Sequence, residues 1–500
     1  MLLGALSPKG RVTVKAPLDL RHVASLALRD LIHLAHLPDF DRVQDQISRI
    51  RGCTRPVQLV GSTETRDTAS GTVVRAYSTA DEPTGRLLTA CGNRRSSRCP
   101  SCSRLYAADT YHLIRAGLSG GKSVPETVRT HPRLFVTLTA PSFGPVHNRR
   151  TTDAGESLAC RCGTRHPTDD PALGTPLSPA TYDYTGAVLW NAHAGALWAR
   201  FTTYLRRELA AHLGMTQKAL NASLRVSFAK VAEYQRRGLV HFHAVIRLDG
   251  PEGSNEPPPR WATAEALTHA VTEAAERAVL TVTSNAIGER RLTWGSQLDI
   301  REIAALGDGE LTDQKVAAYV AKYATKSAED SGTVDRSLRC PHCTGRGYRR
   351  GPDGFRDLCD ECEGTGQSEP IADLPVHSHV RQMIRTAWNL GHLPEFAELK
   401  LWKWAHMLGF RGHFSSKSRR YSTTLSALRD IRRAWRTEQA RTTDDQPELN
   451  EETTLVVSHW QYLASGYSPG EELLAAQVRQ DIAQARDHAN RRKTEGDPWL

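Results

Sequence analysis

The sequence contains no apolar run of the roughly 18 residues a membrane helix requires. Its first residues, Met-Leu-Leu-Gly-Ala-Leu-Ser-Pro-Lys, lack the charged n-region and full apolar stretch of a secretion signal. A membrane-embedded or secreted protein is therefore not expected; the expectation is a cytoplasmic chain. Cysteine is scarce, ten in 500 residues, and clustered rather than dispersed. In a large chain without a signal this argues against a disulfide framework and for metal sites in a reducing compartment. A nucleotide-driven motor is also missing. Ala116-Gly-Leu-Ser-Gly-Gly121-Lys122-Ser123 fits a relaxed phosphate-loop pattern, but the residues before it are helical in spacing and Pro125 follows, whereas a true loop leaves a buried strand and opens a helix.

Charge of one sign is in excess. Lys and Arg number 65 against 55 acidic residues, for a net charge of +10 and a pI near 9.1. Arginine pairs such as Arg94-Arg95, Arg236-Arg237 and Arg419-Arg420 recur along the chain. One such pair is an ordinary solvated face; their spread favours a polyanionic partner, most commonly nucleic acid.

Two stretches carry chemistry. His241-Phe242-His243 lies in an apolar run whose period-two geometry puts both imidazoles on one face of a strand. With Arg236–Gly238 as a tight turn from the preceding strand, counting back sets Glu233 opposite His241, on the same face. A one-residue slip would send it to the other side. Two histidines and a carboxylate with open positions suit Mg²⁺ or Mn²⁺. Downstream, Tyr319, Lys322, Tyr323 and Lys326 fall at i, i+3, i+4 and i+7 of a helix, so two phenols and two amines share one face while Val316, Val320 and Ala324 form another. Isolated tyrosines are usually packing residues. A phenol near a divalent cation, with lysines to stabilise its anion, is a nucleophile suited to phosphorus.

Cys340-Pro-His-Cys343-Thr-Gly-Arg-Gly347 and Cys359-Asp-Glu-Cys362-Glu-Gly-Thr-Gly366 are two copies of one knuckle, supplying four thiolates for a closed, structural zinc. Cys99 and Cys102 with Cys91 and the more distant Cys53 form a second, less certain set. Cys160, Cys162 and His166 fit either a third metal site or a loop with free thiols.

In order and spacing, Leu134-Phe-Val-Thr-Leu-Thr139, His241-Phe-His243 and Tyr319-Val-Ala-Lys-Tyr-Ala-Thr-Lys326 resemble the three motifs of HUH-type rolling-circle replication initiators. Cys91-Gly-Asn-Arg-Arg, Cys99-Pro-Ser-Cys102, Ala140-Pro-Ser-Phe-Gly-Pro-Val-His147 and Gly409-Phe-Arg-Gly-His-Phe-Ser-Ser-Lys417 extend the resemblance to initiators of actinobacterial plasmids and integrative conjugative elements, over most of residues 50 to 430. The resemblance implies an α+β fold, an HUH endonuclease-like antiparallel sheet flanked by helices, with zinc-binding insertions and a helical basic C-terminal region. It implies that His241 and His243, with Glu233 as acidic partner, hold the catalytic metal. It implies that Tyr323 is the primary nucleophile, aided by Lys322 and Lys326, with Tyr319 for a second transfer. The implied reaction is metal-dependent nicking at a DNA origin, leaving a 5′-phosphotyrosine and a free 3′-OH for a host polymerase, with a host helicase to part the strands.

The expected organisation is an N-terminal helical segment (1–50), a zinc-binding segment (51–125), a catalytic domain (126–335) with an irregular excursion (144–186), a four-cysteine knuckle (336–370), a helical basic DNA-binding region (371–440), and an acidic linker with a helical tail (441–500). In the basic region Trp402, Trp404, Met407, Leu408 and Phe410 supply an apolar face, beside Lys417, Arg419, Arg420, Arg432, Arg433 and Arg436. It reads either as an origin-reading module or as a packing extension of the catalytic domain. The rival functions are a relaxase or transposase of the same superfamily, and a non-catalytic zinc-dependent DNA-binding regulator.

Overall fold

The computed structural model describes residues 19–152, 154–303, 312–326, 331–351, 353–441 and 453–494. Most of the expected linker, the start of the expected N-terminal segment and the side chain of Arg436 lie outside them. The chain divides into two compact units, residues 1–105 with 444–500, and residues 106–443.

In the terminal unit the long strand Val57–Asp67 is central. It pairs antiparallel with Thr454–Ser465 on one side and with Val73–Ser78 and Leu87–Thr89 on the other. Gly61 is required where it crosses Trp460, since a Cβ there would lie 1.9 Å from the His459 carbonyl oxygen. The helix Phe40–Arg49 buries Val43 and Ile47 against Leu88 and against Ala475 of the last helix, Pro469–Thr494. The reading of 441–500 as linker and helical tail therefore misses a strand of this sheet.

The larger unit is built on a five-stranded antiparallel sheet. In chain order its strands are β1 (Arg133–Leu138), β2 (Arg225–Tyr234), β3 (Val240–Asp249), β4 (Leu298–Glu302) and β5 (Ser415–Lys417), arranged β4-β1-β3-β2-β5. An α+β architecture with antiparallel sheets is thus as expected. The pleat divides the strand residues between two layers. Leu134, Val136, Phe242, Ala244, Ile246 and Ala232 face a large core closed by the helices α1 (Tyr184–His212), α2 (Ala264–Arg277) and α4 (Ser378–Leu390). Phe135, Val245, Ala229 and Val231 face a smaller core with Ile114 and Leu118, closed by α3 (Asp313–Ala324) through Val316, Ala317, Val320 and Ala324.

The basic region departs from a separate helical module. Leu401, Ala405, Leu408, Phe410 and Phe414 are buried in the large core, and Ser415–Lys417 is the edge strand of the central sheet. Its apolar face is consumed by packing. Arg432 pairs with the buried Asp109. Residues 401–417 thus pack as part of the larger unit.

Lys230 shows what this core does to a charge. Its amine lies 4.1 Å from the Phe242 ring centroid and 5.7 Å from that of Trp198. Burial pulls its pKa down to about 8 from an ordinary 10.5. Between those values the unfolded chain binds more protons than the native one, so this group adds stability as pH rises through the window. Lys230→Met is expected to flatten the gain, measured as the difference in denaturant stability between about pH 7 and about pH 9, roughly 1 unit either side of the native value.

Candidate metal and tyrosine site

The hairpin of β2 and β3 turns through Arg236-Arg237-Gly238. The Gln235 N–H donates to the Leu239 carbonyl at 2.8 Å, and Gly238 takes a positive φ of 76° that suits glycine at the last position of a three-residue loop. From α1 the buried Asn191 fixes this turn: its Nδ2 donates to the carbonyls of Gly238 and Leu408 at 2.8 and 2.9 Å, and its Oδ1 accepts from the Val240 N–H at 3.1 Å. The register so fixed pairs Glu233 with His241 and Val231 with His243, as counting from the turn expects.

Three ligand-type atoms converge on that face. Glu233 Oε2 lies 3.0 Å from His241 Nε2 and 3.2 Å from His243 Nε2, and the two imidazole nitrogens are 3.2 Å apart. Neighbouring ligands of an octahedral cation with bonds of about 2.1 Å are separated by about 3.0 Å. The triad therefore fits a small hard cation that keeps other positions open. His243 Nδ1 faces Thr137 Oγ1 of β1 at 3.0 Å, which orients the ring from behind. The ring also stacks on Phe135 at a centroid distance of 5.8 Å. Burial pulls His243 below the ordinary histidine range, favouring the neutral form a ligand needs. Burial pushes the Glu233 carboxyl up, but hydrogen bonding to His241 and His243 and the charge of Lys326 outweigh it and hold its pKa at about 2.

α3 is set against this face from its N-terminus. Thr312 caps it by accepting from the Lys315 N–H at 3.3 Å. Asp313 of the first turn is held by Arg133 at 3.1 Å and by the Ser119 hydroxyl at 2.8 Å. Its stripe of Val316, Val320 and Ala324 packs on the sheet, which leaves Tyr319 and Tyr323 at the edge of that contact, half-buried. The Tyr319 hydroxyl lies 3.0 Å from His243 Nε2. The two phenol rings are 4.4 Å apart, and Tyr323 is 5.8 Å from the His243 ring. Burial, with Glu233 and Tyr323 adding to it, raises the Tyr319 pKa well above that of an ordinary phenol. Lys326 Nζ lies 4.4 Å from the Tyr323 ring centroid and 3.3 Å from Glu233 Oε1; Lys322 Nζ lies 5.6 Å from the same ring. All seven residues singled out from the strand and helix patterns thus meet in one place.

Eight of the ten cysteines meet in two sets of four. Sγ atoms of Cys340 and Cys359 are 3.9 Å apart and those of Cys343 and Cys362 3.7 Å. Cys53 is 3.7 Å from both Cys99 and Cys102, and Cys91 is 3.7 Å from Cys102. Tetrahedral zinc with Zn–S bonds of about 2.3 Å spaces its sulfurs by about 3.8 Å, so both clusters could hold zinc. In the first, the knuckle repeat is visible as geometry. The N–H groups of Gly347 and Gly366 donate to Cys343 and Cys362 at 3.2 Å each, and each glycine lies against the other copy: a Cβ would meet the Gly364 or Gly345 carbonyl oxygen at 2.2 or 2.6 Å. Cys340→Ser is expected to cost roughly 2–5 kcal/mol of stability and one equivalent of zinc, read by denaturant titration beside metal analysis.

The phosphate-loop lookalike is a turn. The helix Pro100–Ser119 precedes it, and Gly121 bridges Val124 with Lys122 and Ser123 at positive φ. Among the described residues no helix is long and apolar enough to cross a membrane.

Residues 39–480 match the family model described as RepSA, replication initiator protein, pSAM2. The chain belongs to this replication initiator family. A replication initiator protein of Streptomyces ambofaciens is 49% identical to this initiator over 468 residues, which cover 92% of this chain and 95% of that protein. No solved structure matches it. The family's plasmid context agrees with the plasmid part of the expectation from sequence.

Proposed function

We propose that this initiator is an HUH-type endonuclease and strand transferase that nicks one strand of DNA at an origin. The observation that carries the reading is the 3.0 Å approach of the Tyr319 hydroxyl to His243, inside a triad of two histidines and one carboxylate, with Tyr323 one helical turn away. So placed, the Tyr319 hydroxyl would lie beside any cation that the triad holds. Membership of a replication initiator family supplies the biological setting, and the net charge of +10 suits a DNA partner.

In this reading Glu233, His241 and His243 hold Mg²⁺ or Mn²⁺. When bound, such a cation polarises the scissile phosphate and neutralises charge developing on it. The chain's own residues do the rest. Lys326, and beyond it Lys322, stabilise the phenolate of Tyr323, which attacks phosphorus. The bond from phosphorus to the 3′ oxygen breaks, and that oxygen takes a proton to become a free 3′-OH; the phosphorus stays on Tyr323 as a 5′-phosphotyrosine. Tyr319, whose burial opposes ionisation, is the second nucleophile, cutting the regenerated junction while the first 5′ end is rejoined to a 3′-OH. The free 3′-OH would prime a host polymerase, and a host helicase would separate the strands, since the phosphate-loop lookalike at residues 120–123 is a turn.

Relaxation of a supercoiled plasmid carrying the cognate origin, in Mg²⁺ or Mn²⁺, tests the reading. Nicked circles with protein bound to the 5′ end are the expected product. Origin binding with no cleavage in either metal would instead favour the zinc-dependent regulator.

A further inference from the structure

The excursion between β1 and α1 carries four side chains that the nicking reading does not use. His147, Cys160, Cys162 and His166 bring ligand atoms within 4.8 Å of one another. His166 Nε2 lies 3.3 Å from His147 Nδ1 and 3.3 Å from Cys162 Sγ. With zinc bonds of about 2.05 Å to nitrogen and about 2.3 Å to sulfur, a tetrahedral site spaces two nitrogens by about 3.3 Å and a nitrogen and a sulfur by about 3.5 Å. Cys160 and His166, at 4% and 5% exposure, are the only buried positions among the described residues of 148–170.

The surroundings are those of a ligand set. His166 turns its other nitrogen, Nδ1, to the Asp170 carboxylate at 2.7 Å, the partner that fixes a ligand histidine's tautomer and ring. The Asn148 N–H donates to Cys160 Sγ at 3.5 Å. Around the cysteines the chain makes a tight knuckle: the Gly163 N–H donates to the Cys160 carbonyl at 2.8 Å, and the Cys160 N–H to the Thr164 carbonyl at 2.9 Å. We propose that these residues form a third zinc site, closed by two sulfurs and two nitrogens, that staples the excursion to the tip of the metal-site hairpin.

The staple follows from what the four ligands are tied to. His147 exchanges backbone bonds with the returning chain, donating to the Thr175 carbonyl at 2.9 Å and accepting from the Gly174 N–H at 2.8 Å. Gly174, at φ +86°, sits so close to the hairpin turn that a Cβ would lie 2.6 Å from the Arg236 carbonyl carbon. From the turn, Arg236 donates to the Thr168 carbonyl at 2.7 Å, two residues beyond His166. A metal joining residue 147 to 160, 162 and 166 would tie the start of the excursion to its knuckle, beyond the backbone pairing of Arg150 with Leu158, and hold it on the turn between Glu233 and His241.

The test is a zinc count on the full chain, purified without chelator, by native mass spectrometry. Cys162→Ser, at an exposed position, and His147→Gln are each expected to carry one zinc fewer than wild type. Each is also expected to show faster amide exchange across residues 144–176. Equal zinc in wild type and both variants would overturn the site; loss of a zinc with unchanged exchange would overturn the staple. Should the variants not fold, cobalt exchange into wild type decides: a spectrum containing a two-sulfur, two-nitrogen component supports the site, and four-sulfur components alone overturn it. Neither readout depends on nicking, so this inference and the proposed activity stand or fall separately.

Discussion

Replacing both phenols, Tyr319→Phe with Tyr323→Phe, is expected to abolish covalent attachment to DNA, with cleavage falling about 10³-fold or more. The change removes two oxygens and little else. α3 keeps its cap and its clamp to Arg133 through Asp313, and the packing stripe of Val316, Val320 and Ala324 is untouched. DNA binding should therefore persist. The single variants separate the roles. Tyr323→Phe is expected to lose the first cleavage, because the phenol beneath Lys326 is gone. Tyr319→Phe is expected to cut once, accumulate the covalent complex and fail to rejoin. Gel separation of free from protein-linked DNA under denaturing conditions reads all three. Wild-type levels of adduct in the double variant would remove tyrosine attack from the mechanism.

The second large effect is on stability and lies on the same face of the sheet. Arg247 is fully buried, and its guanidinium donates to both oxygens of Asp249 at 2.6 and 2.9 Å, while His131 Nδ1 meets the same carboxylate at 2.8 Å. Removing the carboxylate charge strands a buried cation, so Asp249→Asn is expected to cost about 3–5 kcal/mol in denaturant unfolding. The pH dependence has a definite sign. Burial acts to raise the Asp249 pKa, but the bonds from His131 and Arg247 outweigh it and leave it below its ordinary value. A depressed native pKa means the contribution is fully present above the unfolded carboxyl pKa, near about 4, and is lost as pH falls through the lower native value. The gap between wild type and Asp249→Asn should thus be full at neutral pH and narrow only in that acid range. A gap that does not narrow on acidification would mean that Asp249 acts by shape and not by charge.

How far sequence alone reaches depends on what fixes each element. The hairpin was readable because a glycine-closed turn and an apolar alternation admit one register, and that register alone aligns Glu233 with His241. The tyrosine helix was readable because its polar and apolar stripes separate at helical spacing. His147 was not readable as a ligand: it stands 13 positions before Cys160 in an irregular segment, where no periodicity links them. A histidine shortly before a Cys-x-Cys pair was the available signal. Ser415–Lys417 is too short for a strand pattern, and its place is set by pairing with Val231 to Ala229 far upstream. The strand Thr454–Ser465 has a β-prone composition at Leu455 to Tyr462, but its partner lies near the other end of the chain. Local reading cannot supply such long-range pairing. The packing of residues 401–417 is not legible in sequence, because an apolar face beside arginines looks alike whether it meets a core or a DNA groove.

The most direct measurement is the site of covalent attachment. The full chain is incubated with a single-stranded oligonucleotide spanning the nick site in Mn²⁺, digested, and searched by mass spectrometry for a nucleotide-bearing peptide. A 5′-phosphotyrosine on Tyr323 is expected, absent when metal is chelated and absent in Glu233→Ala. An adduct on a residue outside residues 319–326, or one that forms equally without metal, would contradict it.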